Sequence, residues 1–261
     1  MKDNPKIVGL IPAHLESVRL KKKVLHDILG IPMIEHVRRR ALNAGLVKKI
    51  IVASGDDEVL KVVSSYGGEI IKTYGKHENG TSRIAEAIEN IDCSHVVIIQ
   101  GDEPLIQKEH LANMTKSINK NPFFDSWNST SDLLSEEELY NPNIVKAALN
   151  SDGKILYLFR KSPSIANAKS QFNYIKKVQG LIAFRKDVLL NLTKKPISYG
   201  EEFESIEQLK IINYNFNLYS VSQPNQVPSI NTKEDLNDFY NYLKCNEKQF
   251  QITREIIKNN I

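Results

Sequence analysis

The chain is poor in the features that mark several large classes of protein. It has two cysteines in 261 residues, Cys93 and Cys245. Two thiols make no disulfide framework, and both are expected to be reduced, the usage of a cytoplasmic protein. No apolar run approaches the roughly 18–20 residues of a membrane span. The opening Met1-Lys2-Asp3-Asn4-Pro5 lacks the pattern of a signal peptide. There is no internal repeat and no low-complexity linker. No His/Cys set has zinc spacing, so His26, His36, His95 and His110 are read as packing or surface residues. The first strand-to-helix loop has no G-x-G-x-x-G, which argues against a dinucleotide enzyme. Lys and Arg are scattered rather than interleaved with aromatics, and a net charge of +4 is too small to argue for a nucleic-acid partner.

What remains is an ordinary globular composition, 41% hydrophobic and 25% charged. The length suits one large α/β domain, or one domain with an appended lobe. The most informative stretch is His95-Val96-Val97-Ile98-Ile99 followed by Gln100-Gly101-Asp102-Glu103-Pro104. An unbroken apolar run reads as a buried parallel strand. Its polar end then lies at the carboxyl edge of the sheet, where open α/β sheets bind ligands. Asp102 there is a hard oxygen donor suited to Mg²⁺ carrying nucleotide phosphates.

The first half alternates regularly. Strands are expected at 6–11, 49–54, 69–72 and 95–99. Helices are expected from about Pro32, with Gly45 as its cap, from Asp56 to Tyr66, and over 84–88. This β-α-β-α-β-α-β order predicts a doubly wound parallel sheet. The loop after the first strand carries Arg19, Lys21, Lys22 and Lys23, cations well placed for a triphosphate. The polar stretch 77–83 leads into a helix start whose free N–H groups can meet a base or a phosphate.

The second half is less regular. A helix is expected over 107–118, a short strand at 123–128, and a hairpin from 141–149 and 154–159 about Ser151-Asp152-Gly153. Residues 163–174 read as a polar loop or lid, 178–184 as a strand, 200–214 as a helix and 217–222 as a strand. Thr232 and Asp235 have the spacing of a capping box for the final helix, which 244–261 is expected to extend.

Read together, these pieces resemble the sugar-acid cytidylyltransferases, most closely the 3-deoxy-manno-octulosonate (KDO) cytidylyltransferases, from about Ile7 to Phe239. The resemblance rests on Gln100-Gly101-Asp102-Glu103-Pro104, on Pro12-Ala13, Ser17, Arg19-Leu20, Lys23 and Leu25, and on Gly30, Pro32-Met33-Ile34 and His36-Val37. It continues through Gly80-Thr81, Arg83, Asn141-Pro142-Asn143, Val145-Lys146, Leu156-Tyr157, Arg160 and Ser205-Ile206-Glu207-Gln208-Leu209.

The resemblance implies a Rossmann-like nucleotidyltransferase fold, a mixed and mostly parallel sheet flanked by helices, with a smaller β-containing lobe for sugar binding and dimerisation. One domain would span 1–261: a nucleotide-binding half to about 122, the lobe over about 123–222, and from about 223 a C-terminal helix returning to the core. It implies a cytoplasmic homodimer that transfers CMP from CTP to the anomeric hydroxyl of a 2-keto-3-deoxy sugar acid, for lipopolysaccharide or surface-glycan synthesis. Arg19 and Lys23 would hold the triphosphate. Pro12, Ala13 and the loop His77, Asn79, Gly80 and Thr81 would frame the cytosine. Gln100 would contact nucleotide or sugar, Asp102 and Asn231 would ligate Mg²⁺, and Arg160, Glu207 and Gln208 would face the sugar acid.

The sequence also departs from the family pattern. The second metal-binding Asp is Asn231, which has a carbonyl oxygen but no charge. The sugar-facing His falls at Val178, or at Lys177 if the gap shifts. The Arg after Pro-Ala is His14, the first-loop glycine is Lys22, the Thr-Asp after the second strand is Ser54-Gly55, the Ser and acid around Gly80-Thr81 are Asn79 and Ser82, and the Ser before Arg160 is Phe159. These changes predict a divergent member. Two alternatives stay open: a nucleotidyltransferase for another nucleotide or acceptor, and a non-catalytic nucleotide-binding relative.

Overall fold

The computed structural model describes residues 4–17, 19–224 and 227–258; residues 1–3 and the end of the expected final helix, 259–261, lie outside them. The first strand, β1 (Ile7–Ala13), runs into the cationic loop. A two-strand ribbon, β2 (Asp27–Ile28) and β3 (Ile31–Pro32), turns through Leu29 and Gly30, both at positive φ, and delivers helix α1 (Met33–Asn43). Pro32 is therefore the N-cap of α1 rather than its first helical residue. Gly45, at φ 66, closes the helix by donating to Leu42 O. The chain continues as β4 (Ile50–Ser54), α2 (Asp57–Ser65), β5 (Glu69–Lys72), α3 (Gly80–Ile88), β6 (His95–Ile99) and α4 (Lys108–Lys120). Helix α3 begins four residues before its expected start, because Asn79 caps it through Ser82 N.

The second half comprises β7 (Ser126–Ser131), α5 (Glu136–Tyr140), β8 (Lys146–Leu149), β9 (Ile155–Phe159), α6 (Ala168–Gln171), β10 (Ile175–Arg185) and α7 (Lys186–Leu192). It closes with α8 (Tyr199–Glu204), α9 (Leu209–Asn213), β11 (Leu218–Ser222), α10 (Lys233–Cys245) and α11 (Glu247–Lys258). Strands β8 and β9 form the expected hairpin. Three expectations fail for local reasons. The helix expected over 200–214 is two, broken where Ser205 takes φ 52 and Arg160 binds the carbonyls of Glu204 and Ser205. Residues 163–174 contain α6, started by an Asn167 cap on Ser170 N. The final helix stops at Asn246, whose side chain then caps α11 through Gln249 N.

One sheet carries both halves, in the order β11-β7-β10-β6-β1-β4-β5 with the β8–β9 hairpin on β10. Along that path β10 alone runs against its neighbours. Strand β1 has β4 on one side and β6 on the other, so the strand order reverses at β1–β6, the switch point where such sheets bind ligands. Two apolar layers fill the faces. Ile84, Ile88, Phe184 and Leu209 pack on one side, and Ile34, Val37, Met114 and Trp127 on the other. Helix α10 returns over the site end, where Phe239 and Leu243 pack on Leu20, Met33 and Leu105.

Candidate functional site

The β1 and β6 ends bring the first group of residues together. Lys23, in the short helical turn after the cationic loop, points its ammonium between two oxygens. Its Nζ donates to Asp102 Oδ2 at 2.7 Å and to Asn231 Oδ1 at 3.0 Å. Arg19, more exposed, reaches Asn231 Oδ1 at 3.5 Å. Residues separated by over 200 positions are held in register because Ile230 N donates to the Asp102 carbonyl at 2.9 Å and Ile230 is buried under α10. Asp235, from the capping box, accepts the N–H groups of Asn231 and Thr232 on Oδ2 and so steadies the loop. Lys22, where the family pattern expects glycine, has φ 52 and pairs with Glu58.

The second group is the frame expected around a base. Helix α3 starts against β1: a Cβ added at Gly80 would lie 2.9 Å from Pro12 Cγ, which is why that position carries no side chain. Gln100 Oε1 would be 3.8 Å from the same Cβ, so Pro12, Gly80 and Gln100 share one corner. Ala13, at the end of β1, is buried. His77 turns away from that corner and bonds Glu86 Oε2 at 2.7 Å, while Glu86 also accepts from the N–H groups of Tyr74 and Gly75. Those donors hold the Glu86 carboxyl below its usual range against the opposing effect of its burial. His77 thus braces the loop. Asn79, besides capping α3, donates to Glu201 Oε1 at 3.3 Å.

A cavity of about 500 Å³ adjoins the Lys23 cluster, bordered by Gln100, Glu103, Lys177, Gln179, Gly180 and Gln208. Its volume lies within the range of small-molecule sites. Burial, reinforced by the Asp102 charge and opposed by Lys23, pushes the Glu103 carboxyl up to about 8. Near neutral pH its wall is then mostly an uncharged acid, which does not repel an anionic acceptor. Lys177 is buried and bound to Glu138 Oε1 at 2.6 Å, and Gln179 Nε2 is buried without an acceptor. Gln208 donates to Asn128 Oδ1 at 3.2 Å and borders both this cavity and a second, of about 310 Å³, behind α3. Glu207 and Thr81 border the second. Burial raises the Glu207 carboxyl, Glu201 adds to that, and hydrogen bonding from Thr81 opposes it.

Arg160 is spent on backbone. It donates to Glu204 O at 2.9 Å, to Pro142 O at 3.1 Å and to Ser205 O at 3.1 Å, tying the Asn141-Pro142 loop to the turn that carries Glu207 and Gln208. Lys146 is buried beneath that loop, its ammonium on the carbonyls of Asn141, Ile144 and Arg160. Lys177 was reachable from the sequence only as the gap-shifted alternative to Val178. Glu103 had no role there, although it stands inside the most informative motif. Gln179 and Asn128 carried no signal at all, because a β-bulge and a cross-sheet contact bring them in.

Among the described residues no group of three or more His, Cys, Asp or Glu could hold a metal ion. Asp102 and Asn231 nevertheless offer two oxygens that converge on one point, the Lys23 ammonium. A divalent cation that takes one carboxylate and completes its shell with phosphate oxygens and water fits that donor set.

The cytidylyltransferase family profile matches residues 8–224. The 3-deoxy-manno-octulosonate cytidylyltransferase of Fusobacterium nucleatum is 32% identical over 242 residues, spanning 92% of this chain and 98% of the relative. The enzyme of the same name from Chlorobium phaeobacteroides is 36% identical over 243 residues, spanning 88% and 94%. Among solved structures, CMP:2-keto-3-deoxy-manno-octonic acid synthetase complexed with CTP superimposes with a TM-score of 0.85 at 32% identity, covering 92% of this chain and 98% of that one. The chain belongs to the cytidylyltransferase family, within its 3-deoxy-manno-octulosonate branch.

Proposed function

We propose that this chain transfers CMP from CTP to the anomeric hydroxyl of 3-deoxy-manno-octulosonate and releases pyrophosphate. The observation that carries the reading is the meeting of Lys23, Asp102 and Asn231 at the switch point of the sheet, beside an acceptor-sized cavity. In the reaction the acceptor oxygen forms a bond to the α-phosphorus of CTP. The bond from that phosphorus to the bridging oxygen breaks, pyrophosphate leaves, and the hydroxyl proton passes to solvent. Such a transfer needs alignment and charge neutralisation more than covalent help from the protein. Arg19 and Lys23 neutralise the triphosphate and the departing pyrophosphate. Pro12 and the α3 start hold the base, and Gln100, Glu103 and Gln208 orient the acceptor. Arg160 acts one step removed, by fixing the two loops that border the acceptor cavity.

Asp102 and Asn231 would hold Mg²⁺, which supplies charge neutralisation at the phosphates when bound. The branch's usual second carboxylate is an amide here, so the phosphates must provide more of the shell. A homodimer is supported by apolar side chains left exposed on the lobe, Leu134, Tyr140, Leu156, Tyr157 and Ile165. A cytoplasmic setting is supported by the free thiols Cys93 and Cys245 and by the use of CTP. No helix among the described residues is long and apolar enough to cross a membrane.

The test is pyrophosphate release with CTP and Mg²⁺ against KDO, its 8-amino analogue and nine-carbon sialic-type acids. Turnover with KDO is the expected result. Turnover with another acid alone would move the substrate while keeping the chemistry, and no release with any acid would overturn the reading.

A further inference from the structure

Asn128 stands in the middle of β7, fully buried, with β11 on one side and β10 on the other. Strand β10 is bulged at this point. Its register against β7 passes from Val178–Thr130 to Ile182–Asn128, so residues 179–181 drop out of the ladder with β7. Gln179, Gly180 and Leu181 are wall residues of the cavity proposed for the acceptor.

The Asn128 side chain reaches into this gap. Its Nδ2 donates to Ser129 O at 2.9 Å and to Gln179 O at 3.0 Å. Backbone carbonyls only accept, so the Asn128 amide has one orientation: the N–H groups meet the two carbonyls and Oδ1 turns away from them. Gln208 meets that oxygen. Its Nε2 donates to Asn128 Oδ1 at 3.2 Å. A flipped Gln208 amide would set one carbonyl oxygen against another in a buried place, which is costly. The direction of the Gln208 amide is therefore dictated by Asn128, and through Asn128 by two backbone carbonyls. Gln208 Oε1 has no hydrogen-bond partner among the described residues and is not sealed from solvent. Gln208 is the residue that stands in the walls of both cavities, at the N-cap of α9.

On the proposed transfer to KDO, we infer that Asn128 is a positioning residue for the sugar acid: it fixes the Gln208 amide so that Oε1 accepts the proton of one acceptor hydroxyl. That hydroxyl then becomes a requirement of substrate choice. A substituent that cannot donate meets only the lone pairs of Oε1, and a site built around a hydroxyl discriminates against an analogue lacking it. A glutamine without Asn128 behind it turns freely and reads the sugar less strictly. Specificity thus begins at a buried strand residue that borders neither cavity.

The experiment measures kcat/KM for KDO and for a set of KDO analogues, each with one non-anomeric hydroxyl replaced by fluorine, with Mg²⁺ and saturating CTP. The chains compared are the parent, Asn128→Ala, Gln208→Ala and the double variant. In the parent at least one analogue is expected to lose about three- to tenfold relative to KDO. That loss should vanish in Gln208→Ala and shrink in Asn128→Ala. The double variant should discriminate as Gln208→Ala does, because the two residues act as one unit, and KM for CTP should stay nearly constant. Asn128→Thr, which keeps a strand-forming side chain at the position, gives the same comparison if the alanine variant does not fold. A merely structural Asn128 would lower kcat/KM for every sugar by one factor and leave the discrimination intact, and that result would overturn the assignment. A parent indifferent to every fluorine would overturn it too. No turnover of KDO by the parent would remove the proposed reaction and this role with it, whereas turnover with unaltered discrimination in the variants removes the role of Asn128 alone.

Discussion

Glu103 lies so close over Gly180 that a Cβ on the glycine would be 2.5 Å from Glu103 Oε1. The glycine sits in β10 where its register against β7 shifts between Val178 and Ile182. A bulge opens the strand, the missing side chain makes room, and the carboxyl occupies the room at the edge of the cavity proposed for the acceptor.

Gly180→Ala is expected to displace that carboxyl. Overpacking of this kind costs about 1–3 kcal/mol, seen as a lower Tm. Its kinetic mark would be a raised KM for the sugar acid with the KM for CTP little changed. Adding Glu103→Ala in the same chain should restore the lost stability. Steady-state kinetics of both variants against each substrate, with thermal melts, check this; equal rises in both KM values would show that the pair does not border the acceptor.

The Lys23–Asp102 pair gives a second expectation. Asp102→Asn keeps the shape but removes the negative charge that holds Lys23 and that would hold the proposed metal ion. Loss of an electrostatic group aimed at reacting phosphate lowers kcat by about 10²–10³. Pyrophosphate release under saturating CTP and sugar acid measures it. Lys23→Met should fall similarly, and the double variant should be less impaired than the product of the two single losses, because the residues act on one another.

Much of this was legible because the first half obeys simple periodicities. The strand at 95–99 has the expected bounds, since an apolar run between turn residues admits few other states, and the short Glu69–Lys72 strand matches its expected bounds as well. Asp102 could be placed at a sheet edge for the same reason. The second half resists such reading. Residue 205 breaks a helix by taking a left-handed conformation that no glycine signals, and the cause is Arg160, 45 positions away. Strand β10 mixes buried and half-buried positions over 11 residues because it serves both the main sheet and the β8–β9 hairpin, so only its apolar end stood out. Among the site residues, sequence order alone could not reveal that His77 belongs to Glu86, nor that Asn231 shares Lys23 with Asp102.

Asn231→Asp restores the carboxylate that the family pattern expects. A second negative charge on the same point should tighten Mn²⁺ binding to the CTP complex by about tenfold, read by electron paramagnetic resonance. The same change strengthens the hold on Lys23 and Arg19, so the gain should be larger with CTP present, when the triphosphate draws those cations away. An unchanged affinity would place the metal elsewhere.

His36 makes the fold sensitive to acid. It is buried on α1, with Nε2 bonded to Ile28 O at 2.7 Å and Nδ1 without a partner. Burial lowers its pKa to about 4, and the neighbouring Arg40 and Arg39 charges push the same way against the Ile28 bond and Asp27. The unfolded chain protonates this ring near 6.5, so between 6.5 and about 4 the unfolded state binds the extra proton and the folded state does not. The neutral ring's contribution is thus complete above 6.5 and is lost as the pH falls toward 4. The difference corresponds to about 3 kcal/mol over the whole window and about 2 kcal/mol by pH 5. Carboxylates titrate in the same region, so the comparison must be between chains. His36→Gln cannot take up that proton and should be less stable than the parent at pH 7, where the parent ring is neutral and well packed. Its urea midpoint should then fall less between pH 7 and pH 5, the two curves converging on the acid side. Parallel losses in the two chains would show that His36 gains its proton without opening the fold.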